Sequence, residues 1–222
     1  MIRSFGQAEF LYLLAAARWT VALSLIGFAG GAALGLVLAV MRTSASKWLR
    51  GLAVAWIALF QCVPLLMLLF LVFFGLALYG RDQNPYIAVT IALSLYAGAY
   101  LGEIWRGAIQ AVPKGQTEGA KALGLHRGQT MRLVVLPQAV RLAIPPTVGF
   151  LVQLVKNTSL ASIIGFAELT QASQFVNNLT FRPIPVYLTA AAIYFALCFP
   201  LTWSAGRLER RLLSRVGGAT RG

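Results

Sequence analysis

The sequence predicts an all-α membrane protein with about five transmembrane helices, its N-terminus outside and its C-terminus inside. Three observations carry that prediction. Only 11% of the residues are charged and 59% are hydrophobic, at a mean hydropathy of +0.74. That is too little charge to cover a soluble surface, so lipid is the solvent for much of the chain. Apolar runs of bilayer-crossing length, about 20 residues, recur along the sequence. The basic residues are also asymmetric. With the N-terminus outside, segments 42–50, 103–141 and 206–222 face inward and hold three, six and five of the 19 Lys and Arg. Arg3, Arg18, Arg81, Lys156 and Arg182 face outward, the imbalance expected of inward-facing basic loops. The net charge of +13 therefore reads as attraction to the inner leaflet and not to nucleic acid.

The elements follow in chain order. Residues 9–18 read as a short helix lying in the interface. Residues 20–41 form the first span, uncharged, with Gly27, Gly30, Gly31 and Gly35 giving it a face that another helix can approach closely. Residues 52–79 form the second, interrupted by Gln61 and Pro64, and residues 86–109 the third, carrying Glu103 and Arg106 at its far end. Residues 138–155 form a weaker fourth span, broken by Pro145 and Pro146. The run from Leu160 to Phe166 is too short to cross and is expected to re-enter part-way. Residues 184–206 form the fifth. Trp48, Tyr79, Tyr86, Trp105, Tyr187 and Trp203 lie near span ends, where aromatic side chains anchor at the interface. Cys62 and Cys198 sit in apolar runs as small hydrophobes, with no spacing that suggests a disulfide or a metal.

Between the third and fourth spans lies a cytoplasmic loop, residues 110–137, containing TEGAKALGLHRGQTMRLVVLP. A loop of that length usually has a function. Pro113, Lys114, Gly115 and Thr117 suit a helix start, Ala120, Ala122 and Leu123 favour its continuation, and Gly124 suits a left-handed end. A second short helix from Arg127 to Leu136 places Met131, Val134 and Val135 on one side, and Pro137 opens the next span. The expectation is a helix, an elbow and a helix. His126, the only histidine, reads as incidental.

Glu118-Gly119-Ala120, three residues, Gly124, nine residues and Val134-Val135-Leu136-Pro137 resemble the EAA motif of ABC-importer permeases, with Gly119 in place of the first alanine and Val134 in place of isoleucine. Glu103 to Ile109, Val112 to Gln116 and Lys156 to Gly165 are similar to the flanking segments of the polar amino-acid branch. One departure is Gln61-Cys62-Val63-Pro64, where that family commonly has Arg-Gly-Thr-Pro. The resemblance implies a type I importer permease fold in a bacterial inner membrane. It implies cytoplasmic ATPase subunits, a second permease copy or paralogue, and an external solute-binding protein as partners. ATP and magnesium would belong to the ATPase, and this chain would bind no cofactor and not be an enzyme by itself. The docking segment for the ATPase would be Glu118, Gly119, Ala120, Lys121, Ala122, Leu123, Gly124 and Leu125; the bland alternative for Glu118 is a solvated charge paired with Lys121.

Substrate contacts are sought among polar groups at membrane depth, which are costly there and therefore functional candidates. They are Gln61, Glu103, Lys156, Asn157, Thr158, Ser159 and Glu168. Lys156 suits a substrate carboxylate and Glu168 an ammonium group. Against this, Glu103 pairs naturally with Arg106 three residues on, Lys156 can snorkel outward, and Glu168 can lie in an outer loop. Two other functions are weighed. A stand-alone channel or secondary carrier should show repeats or mid-span coupling carboxylates, and an intramembrane enzyme needs paired catalytic groups; neither pattern is present. The chain also lacks GxxxxGK[ST], so ATP hydrolysis must reside on another chain.

Overall fold

The computed structural model describes residues 5–78 and 84–217, which places Arg3, Tyr79, Arg81 and Arg221 outside the described residues. The described chain is helical throughout. Its elements are α1 (Gln7–Thr43), α2 (Lys47–Cys62), α3 (Leu65–Leu78), α4 (Pro85–Gln110), α5 (Lys114–Ala122), α6 (Arg127–Gln129), a π-helical turn (Thr130–Val135), α7 (Leu136–Asn157), a 3-10 segment (Thr158–Ile164), α8 (Leu169–Thr180) and α9 (Pro183–Gly217). Four helices are long and apolar enough to cross a membrane, or five spans if the bent pair α2 and α3 counts as one.

Four expectations are corrected. Residues 9–18 are not a separate interfacial helix but the first turns of α1. No Gly or Pro lies between Gln7 and Gly27, and Ala15, Ala16 and Ala17 favour continuation. The helix therefore runs about 55 Å, well beyond the hydrocarbon thickness. The segment 52–79 is not one straight span: α2 and α3 meet at 100° across Val63 and Pro64, where proline removes an N–H and disfavours a helical preceding residue. Pro145 and Pro146 do not break the fourth span, because α7 continues through both. Finally, the helix from Arg127 does not stop at Leu136. It runs through the π turn into α7, giving a single rod from Arg127 to Ile164.

The core is organised around α4. Val89, Ala92, Leu93, Ala97 and Leu101 are essentially inaccessible, packed with Leu69, Leu154 and Phe166. Helix α1 lies against α4 through the glycine face seen in the sequence. A Cβ at Gly35 would stand 2.9 Å from the Leu101 Cβ and 3.0 Å from the Gly102 nitrogen, and one at Gly98 would stand 2.8 Å from the Leu34 Cβ. The two backbones touch only because those atoms are missing. A second cluster joins Leu13, Ala16 and Ala17 of α1 to Leu169, Ala172 and Val176 of α8 and to Val186 and Ile193 of α9. Another packs Val112, just after α4, against Val135 of the π turn and Ala139 of α7. Leu25, Leu36, Leu52, Leu71, Leu188 and Phe195 are exposed, a surface suited to lipid.

Candidate functional site

Helix α5 and its elbow are built by backbone geometry. The Leu125 N–H donates to the Ala120 carbonyl at 3.1 Å and the Gly124 N–H to the Lys121 carbonyl at 2.9 Å. This pair of bonds defines a Schellman end, which needs a left-handed residue, and Gly124 supplies it at φ 76. The next helix starts immediately. His126 Nδ1 accepts from the Gly128 and Gln129 N–H groups at 3.1 and 3.4 Å, while Gln129 Oε1 accepts from the His126 N–H at 3.2 Å. His126 is thus a helix cap, its Nδ1 satisfying two N–H groups of the first turn. The signal was present in the sequence as a cap residue followed three positions later by Gln, but histidine is not among the usual capping types.

The loop is fastened on one side and open on the other. Gln138 Nε2 donates to Gln116 Oε1 at 3.2 Å and to the Val134 carbonyl at 2.9 Å, tying α5 to the base of α7. Ala120 is buried against this support and Leu125 is half-buried, whereas Glu118, Gly119, Lys121, Ala122, Leu123 and Gly124 are exposed. Leu123 is 83% exposed at the apex. A Cβ at Gly119 would meet nothing within 4 Å, so nothing within this chain requires glycine there. Among the described residues Glu118 makes no ion pair, with Lys121 or any other cation. The π turn that follows ends just before Pro137, whose missing N–H prevents a regular ladder at that point.

The seven polar candidates are not gathered into one site. Glu103 lies near the loop end of α4, where Arg106 Nε donates to Glu103 Oε1 at 2.8 Å and Arg42 Nε stands 3.7 Å from Oε2. Arg106 also bonds Gln110. This cluster ties α1 to α4 and leaves Glu103 engaged by arginines. Gln61 donates to the Ala99 carbonyl at 3.4 Å, linking α2 to α4. Trp105, expected as an interfacial anchor, instead donates from Nε1 to Thr147 Oγ1 at 3.0 Å inside the bundle.

At the other end of α7, Lys156 is exposed, Asn157 half-buried and Thr158 fully buried. The Thr158 and Ser159 hydroxyls donate to the Val155 and Lys156 carbonyls, both at 2.7 Å, so they are satisfied locally. Gln153 donates to Asn157 Oδ1 at 3.3 Å. Close by, Tyr100 stacks on Phe150 with ring centroids 5.5 Å apart, and Tyr96 meets Tyr100 in a tilted contact at 4.6 Å. Tyr96, Tyr100, Phe150 and Gln153 form a shelf that sequence reasoning missed. Its only signal was the i, i+4 spacing of the two tyrosines, which is equally a core pattern.

Glu168 is fully buried rather than placed in an open loop. It caps α8, with Oε1 accepting from the Gln171 N–H at 3.0 Å; Oε2 accepts from the Tyr194 hydroxyl at 2.8 Å and from Thr20 Oγ1 at 3.4 Å. Thr20 Oγ1 in turn accepts from the Leu169 N–H at 3.3 Å. The carboxyl therefore joins α1, α8 and α9, and its oxygens are taken up within the chain. Burial pushes its pKa upward, partly offset by these hydrogen bonds. A raised folded-state pKa means that the stabilising contribution is full below the unfolded value and is lost as pH rises through the folded value. Glu168→Gln keeps the shape, so thermal unfolding of the variant should lose this part of the pH dependence. Stability of the variant relative to the parent should rise as pH is raised above about 4.5. Parallel pH profiles would remove Glu168 from the titration.

The family model described as binding-protein-dependent transport system inner membrane component matches residues 31–214. The probable amino-acid ABC transporter permease protein YckA of Bacillus subtilis (strain 168) is 36% identical over 190 residues, covering 86% of this chain and 84% of its own. The glutamine transport system permease protein GlnP of Escherichia coli (strain K12) is 33% identical over 202 residues, covering 90% and 92%. A solved structure of an amino acid ABC transporter with histidines superposes with a TM-score of 0.85 at 32% identity, covering 90% of this chain and 94% of that one. The inward-facing MetNI methionine ABC transporter shares the fold, with a TM-score of 0.75 at 22% identity. The chain belongs to the binding-protein-dependent transport system inner membrane components, as a membrane-spanning, non-catalytic permease subunit of an ABC importer.

Proposed function

We propose that this permease carries a polar amino acid or similar small solute into a bacterial cell, in the cytoplasmic membrane with its N-terminus outside. The carrying observation is the fastened, half-exposed elbow around Gly124. It is held rigidly from within by Ala120 and Gln138, and it presents Glu118, Gly119 and Leu123 to a partner. A groove on a cytoplasmic ATPase is the matching surface: a missing Cβ at Gly119 allows close approach, Leu123 supplies apolar contact, and Glu118 and Lys121 pair at the rim. ATP and magnesium sit on that ATPase. Its closure pushes the loop as a rigid body, and the spans rock between outward- and inward-open states. A solute-binding protein delivers the substrate at the outer end, and a second permease, identical or paralogous, completes the pathway. Relatives named for amino-acid, glutamine and L-cystine transport support the substrate class. Lys156 and Asn157 at the end of α7 are kept as the substrate-facing candidates, with the Lys156 ammonium suited to a carboxylate.

Reconstitution in liposomes with the cognate ATPase and binding protein tests this reading. Uptake should require ATP and both partners. Leu123→Asp should lose ATPase co-purification, and Lys156→Ala should lose uptake while keeping it. Solute flux through this chain alone, indifferent to ATP and to Leu123→Asp, would establish a channel or secondary carrier instead.

A further inference from the structure

A groove of about 540 Å³ runs between the first turns of α1 and helix α8, lined by Tyr12, Arg18 and Trp19 on one side and Gln171, Gln174 and Asn178 on the other. Aromatic pairs bound it. Tyr12 meets Phe175 with centroids 5.9 Å apart, and Trp19 meets Phe166 edge-on at 6.4 Å and Tyr86 at 6.0 Å. Tyr12 and Trp19 are seven residues apart on one helix, about 10 Å, the scale of a lipid headgroup.

The groove's polar groups are unspent. Among the described residues Arg18 has no carboxylate within ion-pair distance, and its guanidinium rests 5.6 Å over the Trp19 ring. The neighbouring acid, Glu168, is committed to Tyr194, Thr20 and the Gln171 N–H. The side-chain amides of Gln171, Gln174 and Asn178 make no hydrogen bond within the described chain. Arg18 and Trp19 also stand immediately before the uncharged stretch of α1, and Val21, Leu25 and Ile26, next along that helix, are exposed. A cation, amide donors and aromatic rings therefore lie above an apolar strip, which is the layering of the membrane interface itself.

We propose that this groove seats the phosphodiester headgroup of an anionic phospholipid. Arg18 neutralises the phosphate, the α8 amides bond its oxygens or the adjoining glycerol, and the acyl chains lie along Val21, Leu25 and Ile26. An apolar helix in the same place would leave a guanidinium and three amides without partners, and a soluble acidic protein would meet the apolar strip. The bound lipid bridges α1 and α8. The orientation proposed above places it in the outer leaflet; the site itself does not depend on that reading.

The test uses the permease–ATPase complex in nanodiscs of equal phosphatidylglycerol and phosphatidylcholine, followed by native mass spectrometry of retained lipid, with no transport assay involved. The parent should retain phosphatidylglycerol in preference. Arg18→Gln should weaken that retention about tenfold, the usual size of one lost charge-assisted hydrogen bond, and Arg18→Lys should keep most of it. Gln174→Leu with Asn178→Leu, at two exposed positions, should shift retention the same way and serves if Arg18→Gln gives no folded complex. Unchanged retention in these variants would overturn the proposal. So would displacement of the lipid by millimolar inorganic phosphate or glycerol phosphate, or an Arg18→Gln effect on permease dimerisation alone.

Discussion

Gly124→Val abolishes ATP-driven uptake. The left-handed conformation at φ 76 costs an ordinary L-residue roughly 1–2 kcal/mol, and a β-branched side chain more. No atom lies within 4 Å of the position a Cβ would take, so the penalty is backbone strain and not crowding. Relief requires turning the elbow, which breaks the bonds from Gly124 and Leu125 to the Lys121 and Ala120 carbonyls and re-aims α5. Gly124→Asn tolerates the same conformation and should keep most activity. Uptake in proteoliposomes and ATPase co-purification separate the two; a valine variant with parental uptake would show that coupling does not need this geometry.

Gly31→Val prevents folding of the bundle or strongly lowers its unfolding temperature. A Cβ at Gly31 would lie 3.0 Å from the Ala97 carbonyl carbon and 3.0 Å from the Gly98 nitrogen, with the Ala97 methyl closer still. Backbone atoms cannot rotate away, so α1 and α4 must separate along their whole contact. Overpacking of this kind costs about 1–3 kcal/mol even where side chains can adjust. The control is Gly51→Ala in α2, where a Cβ meets nothing within 4 Å; that change should be neutral or stabilise by about 0.5–1 kcal/mol. Equal melting temperatures for the two variants in detergent would refute close backbone packing as the basis of this interface.

Both glycine roles were legible in the sequence because each follows from a missing Cβ. Gly124 follows a run of helix formers and precedes a second periodic run, and Gly27, Gly30, Gly31 and Gly35 recur at near-helical spacing in an uncharged span. The bend between α2 and α3 was signalled by Pro64, but both arms are so apolar that their hydropathy merges into one apparent span. Pro145 and Pro146 misled in the opposite direction: they read as a break, and α7 accommodates them. Glu168 could not be placed in advance, because its partner Thr20 is 148 residues away in the chain. His126 was passed over because capping depends on the ring's orientation, which no spacing rule specifies.

The unbroken rod from Arg127 to Ile164 has a mechanical consequence. At about 57 Å long it places the elbow and Lys156 on one lever. A tilt of roughly 5° at one end displaces the other by about 5 Å while the rod keeps its internal hydrogen bonds, its packing against α4 and α9 taking up the movement. Displacement need not be relayed residue by residue through the bundle. The π turn at Thr130–Val135 is the irregular turn of that lever nearest the elbow, and on the coupling proposed above its stiffness would set how much of an ATPase stroke reaches the far side of the membrane.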